Sequence, residues 1–136
     1  MPTLEHFCTI KGTMPAQVIG QTPDGFRVDF PFEGTATGPH WEGEAPVVGV
    51  DHARVRKDGT VVLDITGRIG EGRDTVFYKA NGIALPTETR GDADPQELLT
   101  FETGSESLAF LNRSIGVAFG ESRGPNLSLE VYLAKA

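Results

Sequence analysis

The segment from Val48 to Ile69, "VGVDHARVRKDGTVVLDITGRI", constrains the fold more than any other. Two runs rich in β-branched residues flank Asp58-Gly59, and such a dipeptide between two strand-like runs indicates a tight β-hairpin. A loop of these two residues alone predicts a definite register. The predicted cross-strand pairs are Asp51–Thr66, His52–Ile65, Ala53–Asp64 and Arg54–Leu63.

This register assigns the hairpin residues to two faces. One face carries His52 among Val48, Val50, Leu63 and Ile65, which favours a core histidine over a catalytic one. The other face carries Asp51, Asp64, Thr66 and Arg68. If that face lines an interior, two neighbouring carboxylates push their pKa values apart and one becomes an acid near neutral pH. If it faces water, it is an ordinary hydrated surface, and the pattern alone favours this second reading.

The rest of the chain also reads as short strands joined by turns. "GFRVDFPFEG" alternates apolar and polar residues, and 17 Gly and 9 Pro supply the turns. "DTVFYKANGIA", "SIGVAFGES" and "NLSLEVYLAK" continue the pattern, and in the first of them Tyr78 and Asn81 should lie on opposite strand faces. The polar segment "LPTETRGDADPQELL" reads as a connection with one short helical turn at 94–99. We therefore predict a single all-β domain over 1–136, a meandering antiparallel barrel or sandwich.

Charge and composition exclude several classes of function. The formal net charge is −7 with no basic stripe, which argues against binding to nucleic acid or to anionic membrane surfaces. No apolar run approaches the ~20 residues of a membrane span, and the N-terminus does not resemble a secretory signal. A cytoplasmic location is expected. His6-x-Cys8 has no second ligand pair, and "GRIGEGR" joins two strands, so neither a metal nor a cofactor is expected.

Four segments together resemble a known family, the DUF3237 proteins, also called UPF0311. They are "FEGTATGPHWEGE", "VDHARVRKDGTVVLDITGRI", "TVFYKANGIA" and "FETGSESLAFLNRSIGVAFGESR", and the resemblance runs from about Gly25 to the C-terminus. It implies a small antiparallel barrel, similar to lipocalin and allene-oxide-cyclase barrels, that often forms homo-oligomers. It also implies small-molecule chemistry without a cofactor, in some relatives on aromatic compounds.

The resemblance also implies site residues. The family's acid falls on Asp51, with His52 where tryptophan is usual, and its Leu-Asp element falls on Leu63-Asp64. Its remaining polar motif positions match Tyr78, Asn81, Gly82, Glu102, Asn112 and Arg113. Trp41 occupies a turn position that is usually leucine, which puts the shape of the pocket in this member in doubt.

The leading prediction is a cofactor-independent enzyme for a small carbonyl or carboxylate compound, aromatic ones included. It would work by proton transfer, as an isomerase, a cyclase or a decarboxylating lyase. Asp51 is the expected general acid or base beside Asp64, with Tyr78 or His52 as second proton carrier. The expected substrate-binding residues are Arg113 for an anionic group, Asn112, Glu102, Asn81 and Trp41 as a wall. Two alternatives stay open: a barrel that binds a small molecule without changing it, and a structural protein with a packed interior.

Overall fold

A computed structural model describes all 136 residues of the chain. It contains nine β-strands and no α-helix. Two short 3₁₀ turns cover Gly72–Asp74 and Ala109–Arg113. The strands are β1 (Thr3–Thr13), β2 (Gln17–Thr22), β3 (Gly25–Thr37), β4 (Ala45–Val55), β5 (Val61–Ile69), β6 (Val76–Pro86), β7 (Ala93–Thr103), β8 (Ile115–Arg123) and β9 (Asn126–Lys135).

Eight of these strands form a closed antiparallel barrel. From β3 to β9 each strand pairs with the next one along the chain, and β9 pairs with β1. The barrel closes where Thr9–Thr13 of β1 pairs with Glu33–Thr37 of β3. Gly12 and Gly34 face each other there, and a Cβ at position 12 would lie 2.1 Å from the carbonyl oxygen of Glu33. The closure therefore depends on two residues without side chains, while β2 pairs only with the first part of β3 and remains outside the barrel.

The predicted all-β antiparallel barrel is confirmed, but one local expectation is wrong. The short helical turn expected at 94–99 does not form, because Ala93–Thr103 is strand β7. Its residues alternate in burial, and Pro95, Glu97, Leu99 and Phe101 point inward. This period of two places Glu97, the one charged residue of that set, inside the barrel.

The predicted hairpin forms between β4 and β5, but the predicted register was wrong by one residue. Arg56 and Thr60 close a three-residue loop, with the Arg56 N–H donating to the Thr60 carbonyl at 2.9 Å. Gly59 adopts a φ of +87°, and the Asp58 carboxylate accepts a hydrogen bond from the Thr60 N–H. A third loop residue moves every cross-strand pair, so Asp51 lies opposite Ile65 instead of Thr66.

The two ends of the barrel differ in how they are filled. One end is packed with apolar side chains and closed by the connections at 38–44 and 104–114. Its fully buried residues include Phe7, Val47, Ile69, Val76, Leu111 and Leu133. The other end, where the β6–β7 and β8–β9 loops lie, is hollow. No helix in the structure has the length and apolar character needed to cross a membrane.

Candidate functional site

The hollow end of the barrel contains a cavity of about 280 Å³. Apolar side chains from strands around the barrel form most of its wall, among them Ile10, Phe30, Phe32, Leu63, Leu127 and Leu129. Gly91 and Asp92 of the β6–β7 loop and Gly124 of the β8–β9 loop lie at its mouth. The cavity lies just below the ~300–1,000 Å³ range typical of ligand pockets, which suits a small organic molecule.

Glu97 projects into this cavity from β7. The residue is only 5% exposed, and its register partners on the adjacent strands are the small residues Gly82 and Ala118. No protein hydrogen bond influences its carboxyl group. Burial raises the pKa of Glu97 to about 8, and the nearby charge of Asp51 contributes in the same direction. Glu97 is therefore mostly protonated at neutral pH and can donate a hydrogen bond into the cavity.

Asp51 reaches the cavity from β4. Its Oδ1 accepts a hydrogen bond from the backbone N–H of Asp64 at 2.9 Å. The regular β4–β5 pairing is interrupted at this point, between the pairs Asp51–Ile65 and Arg54–Val62. Burial raises the pKa of Asp51 to about 6, although the hydrogen bond from Asp64 opposes the increase. At neutral pH most Asp51 carboxyls are thus ionised.

Tyr78, on β6, lies where the cavity meets the packed core of the barrel. A Cβ at Gly67 would fall 2.6 Å from the Tyr78 hydroxyl oxygen, and one at Gly49 would fall 3.4 Å from it. The phenol therefore occupies the space left by two glycines that face each other on β4 and β5. Burial, followed by the Glu97 and Cys8 charges, raises the pKa of Tyr78 far above its usual value, so the phenol stays protonated.

Two carboxyl groups with separated pKa values give the cavity a base and an acid together. Near pH 7 Asp51 is mainly ionised and can accept a proton, whereas Glu97 is mainly protonated and can donate one. Such a separation within one pair of carboxyl groups is the usual mark of an acid–base assignment. Tyr78 is the third buried ionisable group of the cavity, and it stays protonated.

The structure brings together only some of the residues proposed from the sequence. Asp51 and Tyr78 both line the cavity. Burial and the charge of Asp64 raise the pKa of Asp51, while the hydrogen bond from the Asp64 N–H lowers it. Tyr78 and Asn81 lie on opposite faces of β6 as predicted, with Tyr78 buried and Asn81 exposed.

His52 and Asp64 lie on the outer surface. The one-residue change in register places Asp51 on the inner face together with Leu63 and Ile65, so His52 and Asp64 share the outer face. The His52 Nδ1 lies 2.8 Å from Oδ1 of Asp29, also outside. The prediction that His52 belongs to an apolar face is therefore wrong. Asp64 contributes to the site through its backbone N–H and its distant charge, and its carboxylate does not enter the cavity.

The residues proposed to bind the substrate lie away from the cavity. Glu102 is exposed on the outer face of β7. Asn112 ties the 3₁₀ turn to β7, since its Oδ1 accepts from the Thr103 N–H and its Nδ2 donates to the Thr103 carbonyl. Arg113 is exposed in the same turn, and Trp41 packs edge-on against Phe7 at the packed end. The expected grouping of Asp51 with Glu102, Asn112 and Arg113 is wrong.

The sequence reasoning missed Glu97 altogether. Its signal was only partial, because Pro95, Leu99 and Phe101 recur at a period of two against Gln96, Thr100 and Glu102, but the pair Glu97-Leu98 interrupts the alternation. The neighbouring Asp94-Pro95 resembled a helix start and concealed that pattern. No group of three or more His, Cys, Asp or Glu side chains is arranged to hold a metal ion.

Fold and site together define a small antiparallel β-barrel with an acidic, enclosed pocket at one end. The family's sequence profile, described as a protein of unknown function (DUF3237), matches residues 2–134. The chain belongs to this family. No functionally curated protein matches it significantly.

Solved structures share the whole fold. A protein of unknown function from Clostridium acetobutylicum superposes with a TM-score of 0.86 at 22% identity, covering 99% of this chain and 100% of its own. One from Rhodopseudomonas palustris gives 0.86 at 18%, covering 99% of each chain. A protein described as an enzyme from Penicillium herquei gives 0.70 at 19%, covering 98% of this chain and 95% of its own. At these identities the likeness establishes the fold alone.

Proposed function

We propose that this protein is a cofactor-independent enzyme that moves protons on a small carbonyl compound inside the barrel. One observation carries the proposal: Asp51 and Glu97 share one apolar cavity with their pKa values raised to different levels. Among isomerisation, cyclisation and decarboxylation, the pair suits isomerisation best, because that reaction needs one base and one acid and no other reagent.

The chemistry follows from the two protonation states. The ionised Asp51 takes a proton from a carbon next to the carbonyl group, and the electron pair of that C–H bond moves to form a carbon–carbon double bond. The carbonyl oxygen gains the charge and takes the proton of Glu97. The resulting enol returns to a carbonyl compound when Asp51 gives its proton to the same carbon or to a conjugated one, and Glu97 recovers its own. Both acids end in their starting states.

The cavity supports this chemistry by excluding water. Apolar side chains surround both carboxyl groups, and electrostatic interactions strengthen where solvent is absent. The protonated Tyr78 hydroxyl adds a second hydrogen-bond donor to the wall of the cavity. The fold likeness to a protein described as an enzyme is consistent with catalysis in such a barrel, and adds no residue roles.

Deuterium exchange tests proton transfer without knowledge of the true product. A panel of small cyclic and aromatic ketones is incubated with the protein in D₂O, and mass spectrometry follows deuterium uptake next to the carbonyl group. Uptake above the buffer rate is expected for at least one ketone. It should fall by about 10²-fold or more in Asp51→Asn and in Glu97→Gln.

A matched control lies on the same strand as Glu97 but outside the cavity. Glu102→Gln removes a carboxylate from the outer face of β7. It should exchange deuterium at nearly the wild-type rate. Equal loss in the outer and inner variants, or no exchange with any ketone, would argue against catalysis by this pair.

The second candidate is a barrel that binds a small apolar molecule and leaves it unchanged. The enclosed apolar wall favours it, since the same cavity can serve a carrier and an enzyme. Saturable binding with unaltered ligand and no deuterium uptake would select this alternative. The third reading, a packed interior without a cavity, does not fit the hollow end of the barrel.

A further inference from the structure

The cavity contains acids but no base to balance them. Asp51, Glu97 and Asp92 are among its lining residues, and no lysine, arginine or histidine is. The carboxylate of Asp92 accepts a hydrogen bond from the Gly124 N–H at the mouth, at 2.9 Å. A ligand that enters the cavity therefore meets only neutral or negatively charged side chains.

An arginine beside the mouth of the cavity already has its hydrogen-bond donors paired. Arg123 ends β8 beside Ser122, a lining residue. Its Nη2 donates to the Asp94 carboxylate at 3.1 Å and to the Glu121 carboxylate at 2.8 Å. Its Nη1 donates to the carbonyls of Ala93 and Ser122. With two carboxylates on one guanidinium, Arg123 offers an incoming anion no free charge.

Three other arginines, Arg56, Arg90 and Arg113, do not line the cavity either. Arg56 pairs with Asp58 in the β4–β5 loop, at 2.7 Å. Arg90 is exposed in the β6–β7 loop, next to Gly91 but outside the wall, with Glu88 and Asp92 two residues away on either side. Arg113, the residue expected to hold an anionic group, lies in the 3₁₀ turn that follows β7 at the packed end.

We infer that the cavity takes an uncharged carbonyl compound with an apolar body and excludes carboxylates. This rests on the proposed function and narrows its substrate class from small carbonyl compounds in general to those that carry no charge. A carboxylate would lose its hydration and gain no cationic partner, while lying near the ionised Asp51. An uncharged carbonyl oxygen instead accepts the proton of Glu97, whose carboxyl has no partner within the protein.

Isosteric pairs of ligands test this inference. Benzamide and benzoate have nearly the same shape and differ by one charge, as do 2-naphthamide and 2-naphthoate. Binding of all four to the full chain at neutral pH is measured by ligand-observed NMR titration. Each amide should bind at least about tenfold more tightly than its carboxylate, because a desolvated like charge nearby costs more than 1 kcal/mol.

Asp51→Asn removes the like charge while keeping the shape, and the ratio within each pair should then fall to about threefold or less. Glu102→Gln on the outer face of β7 should leave the ratio unchanged, and so should Arg113→Ala. If Asp51→Asn does not fold, the wild-type ratio alone decides. A carboxylate that binds as tightly as its amide, or no binding by any of the four, overturns the inference.

The outcome separates this inference from the function on which it rests. Charge discrimination without deuterium uptake in any ketone would keep the ligand class and remove the proton transfer. Deuterium uptake together with tight carboxylate binding would keep the chemistry and remove the ligand class.

Discussion

Replacing Glu97 with glutamine should make the protein more stable at alkaline pH. The buried carboxyl has no hydrogen-bond partner in the protein, and its pKa rises from 4.5 to about 8 on folding. Between these values the unfolded chain has lost the proton that the folded chain keeps. The folded state then binds more protons, so the free energy of unfolding decreases as the pH rises from about 4.5 to about 8.

The size of the effect follows from the pKa values. At about 1.4 kcal/mol per pH unit, an increase from 4.5 to about 8 corresponds to roughly 5 kcal/mol. This is comparable to the whole stability of many small domains. Glutamine cannot ionise, so Glu97→Gln should lack this pH-dependent loss. The difference in stability between variant and wild type should grow by about 5 kcal/mol between about pH 4 and about pH 9.

Urea unfolding at a series of pH values measures this difference directly. Asp51 titrates in both proteins, so much of its contribution cancels in the comparison. Glu102→Gln is the control, since Glu102 is exposed on the same strand and should follow the wild type at every pH. A stability difference between Glu97→Gln and wild type that stays constant with pH would refute the raised pKa and the acid role built on it.

Three further outcomes follow from the site. Deuterium exchange should rise with pH as Asp51 ionises near pH 6, fall as Glu97 ionises near pH 8, and peak near pH 7; a rate that only rises with pH would contradict this assignment. Asp51→Asn should lose the part of the pH dependence that lies between about pH 4 and 6, worth roughly 3 kcal/mol in urea unfolding. Gly67→Ala should lower stability by about 1–3 kcal/mol because its Cβ would meet the Tyr78 hydroxyl, whereas Gly104→Ala, with open space around it, should change little.

The alternation of apolar and polar residues was enough to predict an antiparallel barrel or sandwich. Alternation in "GFRVDFPFEG" and the turn at Asp58-Gly59 reflect the period-two geometry of strands, which is local and therefore readable from sequence. Barrel closure between β1 and β3 is not local. It depends on Gly12 meeting Gly34 across 22 positions of sequence, and no short-range pattern reports such an encounter.

The site was harder to predict, because one additional residue in a loop changes which side chains of two paired strands point into the barrel. A loop of three residues in place of two placed Asp51 on the same inner face as Leu63 and Ile65, and left His52 and Asp64 together on the outer face. The choice depended on Asp58, whose carboxylate holds the Thr60 N–H, and on Gly59 with its positive φ. Glu97 could be predicted to point inward only if Ala93–Thr103 was recognised as a strand. The Asp94-Pro95 pair obscured that strand because it resembles a helix start.

The family resemblance gave the fold correctly and the site only in part. Asp51 and Tyr78 line the cavity. Glu102 lies on the outer face of β7, and Asn112 and Arg113 lie in the 3₁₀ turn at the packed end. Asn112 holds the 3₁₀ turn against β7 through two hydrogen bonds to Thr103, which is a structural task. A motif position thus indicates a constraint on the chain without saying whether folding or chemistry imposes it.

A carboxyl ¹³C NMR titration reads the two protonation states themselves: at neutral pH Asp51 should be mainly ionised and Glu97 mainly protonated. Chains labelled at their aspartate and glutamate carboxyl carbons are followed over the full pH range, with Asp51→Asn and Glu97→Gln to assign the signals. The account predicts two titrations, one near pH 6 for Asp51 and one near pH 8 for Glu97. Titration of both groups near pH 4, as in exposed carboxyl groups, would contradict it.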